Sequence, residues 1–139
     1  MSDIYPKIVE HRVFEYLYRD GGNWKTWGEI LLSGCFPSAV YADLLSCLET
    51  DGLFVAEQLG VKSLCYRHFE TYGGPTELDH AYHEFHDLRE ATSDEIASMS
   101  VDDSIENFMA RLHAINGNWN VLFSPNALLP PMRSGHLWI

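Results

Sequence analysis

Positive charge is what this sequence has least of. Nine Lys and Arg stand against twenty Asp and Glu, a formal net charge of −11. A field of that sign repels nucleic acid and anionic membrane surfaces and steers basic partners inward. The stretch from Thr26 to Val61 holds no Lys or Arg at all. Long apolar runs are also missing, and none approaches the ~20 residues that span a bilayer. Met1-Ser2-Asp3-Ile4 carries an acid where a signal peptide carries basic residues, so a cytoplasmic protein is expected. The three cysteines, Cys35, Cys47 and Cys65, cannot all pair and show no C-x-x-C spacing. Reduced thiols inside core elements are the simplest expectation.

The motifs of common catalytic frameworks are absent as well. There is no G-x-S-x-G, no G-x-x-x-x-G-K-[ST], no G-x-G-x-x-G and no H-E-x-x-H. Gly21-Gly22 and Gly73-Gly74 read as turns. No internal repeat or low-complexity segment occurs. The expectation is therefore a protein that is not an enzyme and carries no cofactor.

What the chain does have is core material. Hydrophobic residues make up 46% of its 139 positions and aromatics 13%, enough for one compact domain or two very small ones. Ile4, Ile8, Val9, Val13, Phe14 and Leu17 keep helical spacing, predicting a helix from about Ile4 to Arg19. Asp20-Gly21-Gly22-Asn23 breaks it. Thr26-Trp27-Gly28-Glu29 fits a capping box, predicting a second helix through Leu32, with Trp24 and Trp27 expected in the core. Pro37 then opens a third helix whose apolar stripe is Val40, Tyr41, Leu44, Leu45 and Leu48, stopped at Asp51-Gly52. Leu53–Gln58 and Ser63–Phe69 are β-prone runs around Leu59-Gly60-Val61-Lys62, predicting a hairpin.

Three helices and a hairpin in that order, with Thr26-x-x-Glu29-Ile30 and Ser38-x-Val40-Tyr41-x-x-Leu44-x-x-Cys47-Leu48-x-x-x-Gly52-Leu53, resemble the winged helix-turn-helix of bacterial regulators. The resemblance covers about half the chain. It implies a mainly helical α+β fold, with a winged-helix domain over 1–70 and an acidic helical region over 71–139 packed on it. It also implies a route to DNA as a dimer, through Ser38, Ala42 and Ser46 on the third helix and Lys62 and Arg67 on the wing. The lack of basic residues on that third helix argues for weak or no direct binding of nucleic acid.

In the second half, Leu78, Ala81, Tyr82, Phe85 and Leu88 predict a helix from Glu77 to Glu90. Thr92-Ser93-Asp94-Glu95 is a capping box for a short helix through Met99. Val101, Ile105, Phe108, Met109, Leu112 and Ile115 predict a longer helix ended by Asn116-Gly117. Trp119–Phe123 suggests a strand. Leu128–Met132 is an apolar loop, and the apolar end His136–Ile139 suggests a tail that folds back or forms an interface.

Two constellations follow. Glu77, Asp79, Glu84, Asp87, Glu90, Asp94, Glu95, Asp102, Asp103 and Glu106 are met by only Arg89 and Arg111 in the same span, which points to a docking surface for a basic protein partner. Acids at such density can imitate nucleic-acid phosphates before a DNA- or RNA-processing or defence complex, for example in anti-restriction or anti-CRISPR inhibition. A solubilising surface is the plainer alternative. On a helix, His80, His83, Glu84 and Asp87 would share one face, with His68 or His86 as a further ligand, a spacing able to chelate zinc. The plainer reading, a solvated polar face, predicts no bound metal.

Overall fold

The computed structural model describes residues 9–128, and it is not a winged helix. A curled, mixed five-stranded sheet, a half-barrel, carries five short helices. The order along the chain is β1 (Glu10–Arg19), β2 (Lys25–Gly34), α1 (Val40–Ser46), β3 (Leu53–Val55), α2 (Ala56–Leu59), α3 (Cys65–Tyr72), β4 (Tyr82–Glu90), α4 (Ser93–Ser98), β5 (Val101–Ser104) and α5 (Ile105–Ile115). Across the sheet the order is β3-β4-β1-β2-β5, with only β2 and β5 parallel. Strands from both sides of residue 70 therefore share one sheet. Strands hold 30% and helices 38% of the structure, so it is not mainly helical.

The expected first two helices are a β-hairpin instead. β1 is the central strand, and Val13, Phe14, Tyr16, Leu17 and Tyr18 are all buried. A strand buried on both faces shows a continuous apolar run rather than alternation, and such a run mimics helical spacing. Asp20 closes the loop to β2, its Oδ1 accepting from the Gly22 and Trp24 amides at 2.8 and 3.1 Å. Thr26 begins β2 rather than capping a helix, because its hydroxyl bonds His68 at 2.7 Å. Trp24 and Trp27 are exposed, at 59% and 48%, against the expectation of a core position.

The expected wing is also absent. β3 pairs with β4, and the chain then turns into α2 and α3. α1 does form where Pro37 announced a helix, but it ends at Ser46, short of the expected stop at Gly52, and of its expected apolar stripe Val40 and Leu44 are buried while Tyr41 and Leu45 are exposed.

The helix expected over Glu77–Glu90 is strand β4, and the error has a specific cause. Glu15 pairs with Asp87 while the next residue, Tyr16, pairs with Phe85, so His86 is the extra residue of a bulge. The bulge shifts the alternation, letting Phe85 and Leu88 both join the core three residues apart. An i, i+3 apolar spacing thus arises without a helix. The capping box at Thr92 and Glu95 is present as expected. Val101–Ser104 is a strand rather than the first turn of the following helix, since Ser104 is the N-cap of α5 and accepts from the Asn107 amide. Val121–Phe123 is a 3-10 turn, not a strand. Residues 1–8 and 129–139, including Ile4, Ile8 and the apolar tail beyond 128, lie outside the described residues.

Alternation places Phe14, Tyr16, Tyr18, Ile30 and Leu32 on one face, where they join residues of α1, α3 and α5 in the main core. Phe14 meets Phe108 edge-on at 5.0 Å between ring centroids. Both buried tyrosines are satisfied: Tyr16 donates to Lys62 O at 2.7 Å and Tyr18 to Asp79 Oδ1 at 2.6 Å. Burial, with Asp102 nearby, raises the Tyr16 phenol to about 12. α4 lies on the opposite face, tied there by Arg89, as the β4–α4–β5 crossover between parallel strands.

Candidate functional site

Arg89 is the ionic hub of that second face. Its guanidinium reaches Glu15 at 2.8 Å, Glu95 at 2.7 Å and Glu29 at 3.7 Å. Hydrogen bonds from Arg89 and the Thr92 amide hold the Glu95 carboxyl down to about 2. Glu84 pairs with Arg19 at 2.8 Å, and Asp103 pairs with Arg111, which lowers the Asp103 carboxyl. Asp79 takes the Tyr18 hydroxyl and, at 2.8 Å, the Thr76 amide. Four of the ten candidate acids, Asp79, Glu84, Glu95 and Asp103, are thus tied into the fold.

The other six are placed differently. Glu77, Glu90, Asp94, Asp102 and Glu106 are exposed and Asp87 is half-buried. Glu106 accepts from the Cys35 amide at 3.3 Å, and Asp87 from the neighbouring Leu88 amide at 2.8 Å. Glu90, Asp94 and Asp102 sit on three consecutive elements, the end of β4, the first turn of α4 and the edge strand β5. The register puts Glu90, Arg12, Leu32 and Asp103 in one row across β4, β1, β2 and β5, so the row is about 14 Å wide at ~4.8 Å per strand.

The cations on this surface, Arg12 and Arg89, are committed to ion pairs. Among the described residues, Arg12, Arg19, Arg89 and Arg111 are in ion pairs. Lys25, Lys62 and Arg67, which form none, belong to the start of β2 and to α3 with the loop before it. Arg67 caps the free β2 edge by donating to Trp27 O, and the Tyr72 hydroxyl donates to Lys25 O at 3.3 Å. A cleft of about 550 Å³ lies beside that edge, lined by Glu15, Trp27, Glu29, Arg67 and His86. The residues expected on a DNA-reading helix do not converge: Ser38 precedes α1, Ala42 and Ser46 are exposed on that seven-residue helix, and Lys62 and Arg67 have no wing to sit on.

The expected histidine face dissolves with its helix. His83 is fully buried and its Nε2 accepts from the Leu64 amide at 3.0 Å. That places the ring proton on Nδ1, which has no partner among the described residues. Burial, reinforced by His80, pushes this imidazole down to about 3. His80 instead donates from Nε2 to Arg19 O at 2.8 Å and accepts the Tyr82 amide on Nδ1 at 3.0 Å. His86 stands edge-on to Trp27 at 4.9 Å.

Two other clusters assemble that periodicity did not anticipate. In the first, the buried His68 bridges Thr26 Oγ1 at 2.7 Å and Asp20 Oδ2 at 2.8 Å, with Asp79 close by. Burial raises the Asp20 carboxyl, but bonds from His68, Trp24 and Gly22 outweigh it and the net shift is downward. In the second, His113 of α5 meets Asp43 Oδ2 through Nε2 at 2.9 Å and Cys47 Sγ through Nδ1 at 3.7 Å. The Asp43-x-x-x-Cys47 spacing on a correctly predicted helix was the one available signal for it. Burial raises the Cys47 thiol, and the nearby Asp43 acts in the same direction.

Protein-family models, curated proteins and solved structures contain no match to this chain. Among the described residues no helix is long and apolar enough to cross a membrane.

Proposed function

We propose that this protein is a non-enzymatic binding module, an adaptor or inhibitor, that docks a basic protein surface on its β4–α4–β5 side. The supporting observation is the division of charge: Glu90, Asp94 and Asp102 are exposed there with no ion-pair partner among the described residues, while the described cations without ion pairs, Lys25, Lys62 and Arg67, lie on β2, on α3 and in the loop before it. Such a surface suits a partner whose groove normally holds nucleic acid, so inhibition of a DNA- or RNA-processing or defence complex is the form of action it favours. The tied acids Glu84, Glu95 and Asp103 serve the fold and are not assigned to docking.

The test begins by capturing a partner from lysate and then measures its affinity with purified components. Reversing Glu90, Asp94 and Asp102 to Lys together is expected to weaken binding at least tenfold, and added salt to weaken wild-type binding steeply. Unchanged affinity in the triple variant, with its circular dichroism intact, would refute the docking surface.

A further inference from the structure

We propose that Asp43, Cys47 and His113 form a binding site for a single thiophilic divalent cation, for which zinc is the fitting ion. One carboxylate oxygen, the thiol sulfur and one imidazole nitrogen all lie within 4.8 Å of one another. Thiolate, imidazole and carboxylate are the three ligand types zinc accepts. A tetrahedral zinc with Zn–S of about 2.3 Å and Zn–N of about 2.0–2.1 Å holds its sulfur and nitrogen roughly 3.6 Å apart. The Sγ···Nδ1 separation of 3.7 Å already spans that edge.

The backbone supports the same set. Asp43 lies in α1 and Cys47 is its C-cap, still in helical conformation, so the two are one turn apart and their side chains share a face. His113 comes from the last turn of α5. The two helices are held together at this point, because the Trp119 indole just beyond α5 donates to Cys47 O at 2.8 Å. Cys47 is buried, which shields a metal–sulfur bond, while the His113 and Asp43 side chains are 53% and 43% exposed. An ion can therefore enter from solvent and keep water in the fourth position. Cys47 releases its proton to solvent as the Zn–S bond forms, so affinity rises with pH.

The other histidine cluster makes the contrast. Both nitrogens of His68 are bonded and both oxygens of Asp20 are occupied by protein donors, so that network is complete without an ion. Among the described residues the hydrogen-bond partner of His113 Nδ1 is a thiol, a weak donor.

The experiment uses the full chain without an affinity tag, titrated with Zn²⁺ against a chromogenic chelator and, separately, with Co²⁺ followed by absorbance. One equivalent of zinc per chain is expected. The Co²⁺ complex should show a thiolate-to-cobalt band that is lost in Cys47→Ser. Because Cys47 is buried, that variant also perturbs the core, so His113→Ala and Asp43→Ala at exposed positions carry the test independently. Each should lower zinc affinity at least tenfold with unchanged circular dichroism. Absence of saturable one-to-one binding, or affinity unchanged in both exposed variants, would overturn the proposal.

Discussion

Two histidines in this protein each bridge a carboxylate to a third side chain, and they are built for different ends. His68 is buried, and with Thr26 and Asp20 it joins α3 to β2 and to the loop that leaves β1. His113 is half exposed, and it touches a carboxylate at 2.9 Å and a thiol at a loose 3.7 Å. A buried polar group must find its partners or pay the full desolvation cost, so the first cluster is saturated. An exposed one is under no such demand and can keep capacity for something else. The identity of the residues is similar in both places. Burial decides which one is structure and which one is available.

The sharpest way to break that comparison is to remove each imidazole in turn. His68→Ala leaves Thr26 and Asp20 without a partner in a buried site and opens a cavity, an expected loss of about 3 kcal/mol in urea denaturation. His113→Ala should change stability by no more than about 0.5 kcal/mol, as exposed pairs do. Equal costs would show that the two clusters are energetically alike and that the distinction drawn from burial is mistaken.

A third buried histidine gives a pH test of the same principle. The His83 imidazole stands near 3 in the fold against an ordinary 6.5, so the unfolded chain takes the proton first. Its contribution is complete above pH 6.5 and is lost as pH falls toward 3, with a slope of about 1.4 kcal/mol per pH unit. The depressed carboxylates, such as Glu95 near 2, lose their contribution only below the ordinary range around 4.5. His83→Gln keeps a side-chain acceptor for the Leu64 amide but cannot titrate. It should flatten the stability profile between pH 6.5 and 4.5, measured by chemical denaturation at each pH. An unchanged slope would mean that His83 is not the group that titrates there.

How much of this was legible beforehand depends on whether the signal was local. The turn at Asp20–Asn23, the helix after Pro37, the capping box of Thr92 and the end of α5 at Asn116-Gly117 all rest on backbone chemistry within a few residues, and all are present. Three of the elements that failed did so because the local pattern was ambiguous. β1 is apolar on both faces, β2 offered a Thr-x-x-Glu box whose threonine was already committed to a distant histidine, and β4 contains a bulge that imitates a helical step. With those helices went the winged-helix resemblance and the shared histidine face. The excess of acid was plain in the composition, but which acids are tied depends on Arg19, Arg89 and Arg111 reaching across the fold. The tie between Arg19 and Glu84 spans 65 residues, a separation no periodic pattern encodes.

The capping box offers a middle-sized effect. Thr92 accepts from the Glu95 amide at 3.1 Å while Glu95 reaches back to the Thr92 amide at 2.9 Å and also holds Arg89. Thr92→Ala removes only the first bond, at an expected cost of about 1 kcal/mol in thermal or urea unfolding. Thr92→Ser should restore most of it. A silent Thr92→Ala would show that α4 is held by Arg89 alone.

The smallest expected effect separates acids that hold the fold from acids that do not. Asp102 is exposed on the edge strand β5 and has no ion-pair partner among the described residues, whereas its neighbour Asp103 is tied to Arg111. With a net charge of −11, adding a cation at Asp102 relieves repulsion, and Lys on an edge strand still blocks pairing with a second sheet. Asp102→Lys should therefore alter stability by less than about 0.5 kcal/mol, with a small gain as the favoured sign at low salt. Asp103→Lys should be clearly worse, because it sets two cations against each other beside α5 where Arg111 also donates to Leu59 O at 2.9 Å. Measured side by side in the same urea series, the two adjacent reversals need not be large to be informative. If Asp102→Lys destabilises as much as Asp103→Lys, then Asp102 is part of the scaffold, and the docking surface assigned to β5 loses one of its three charges.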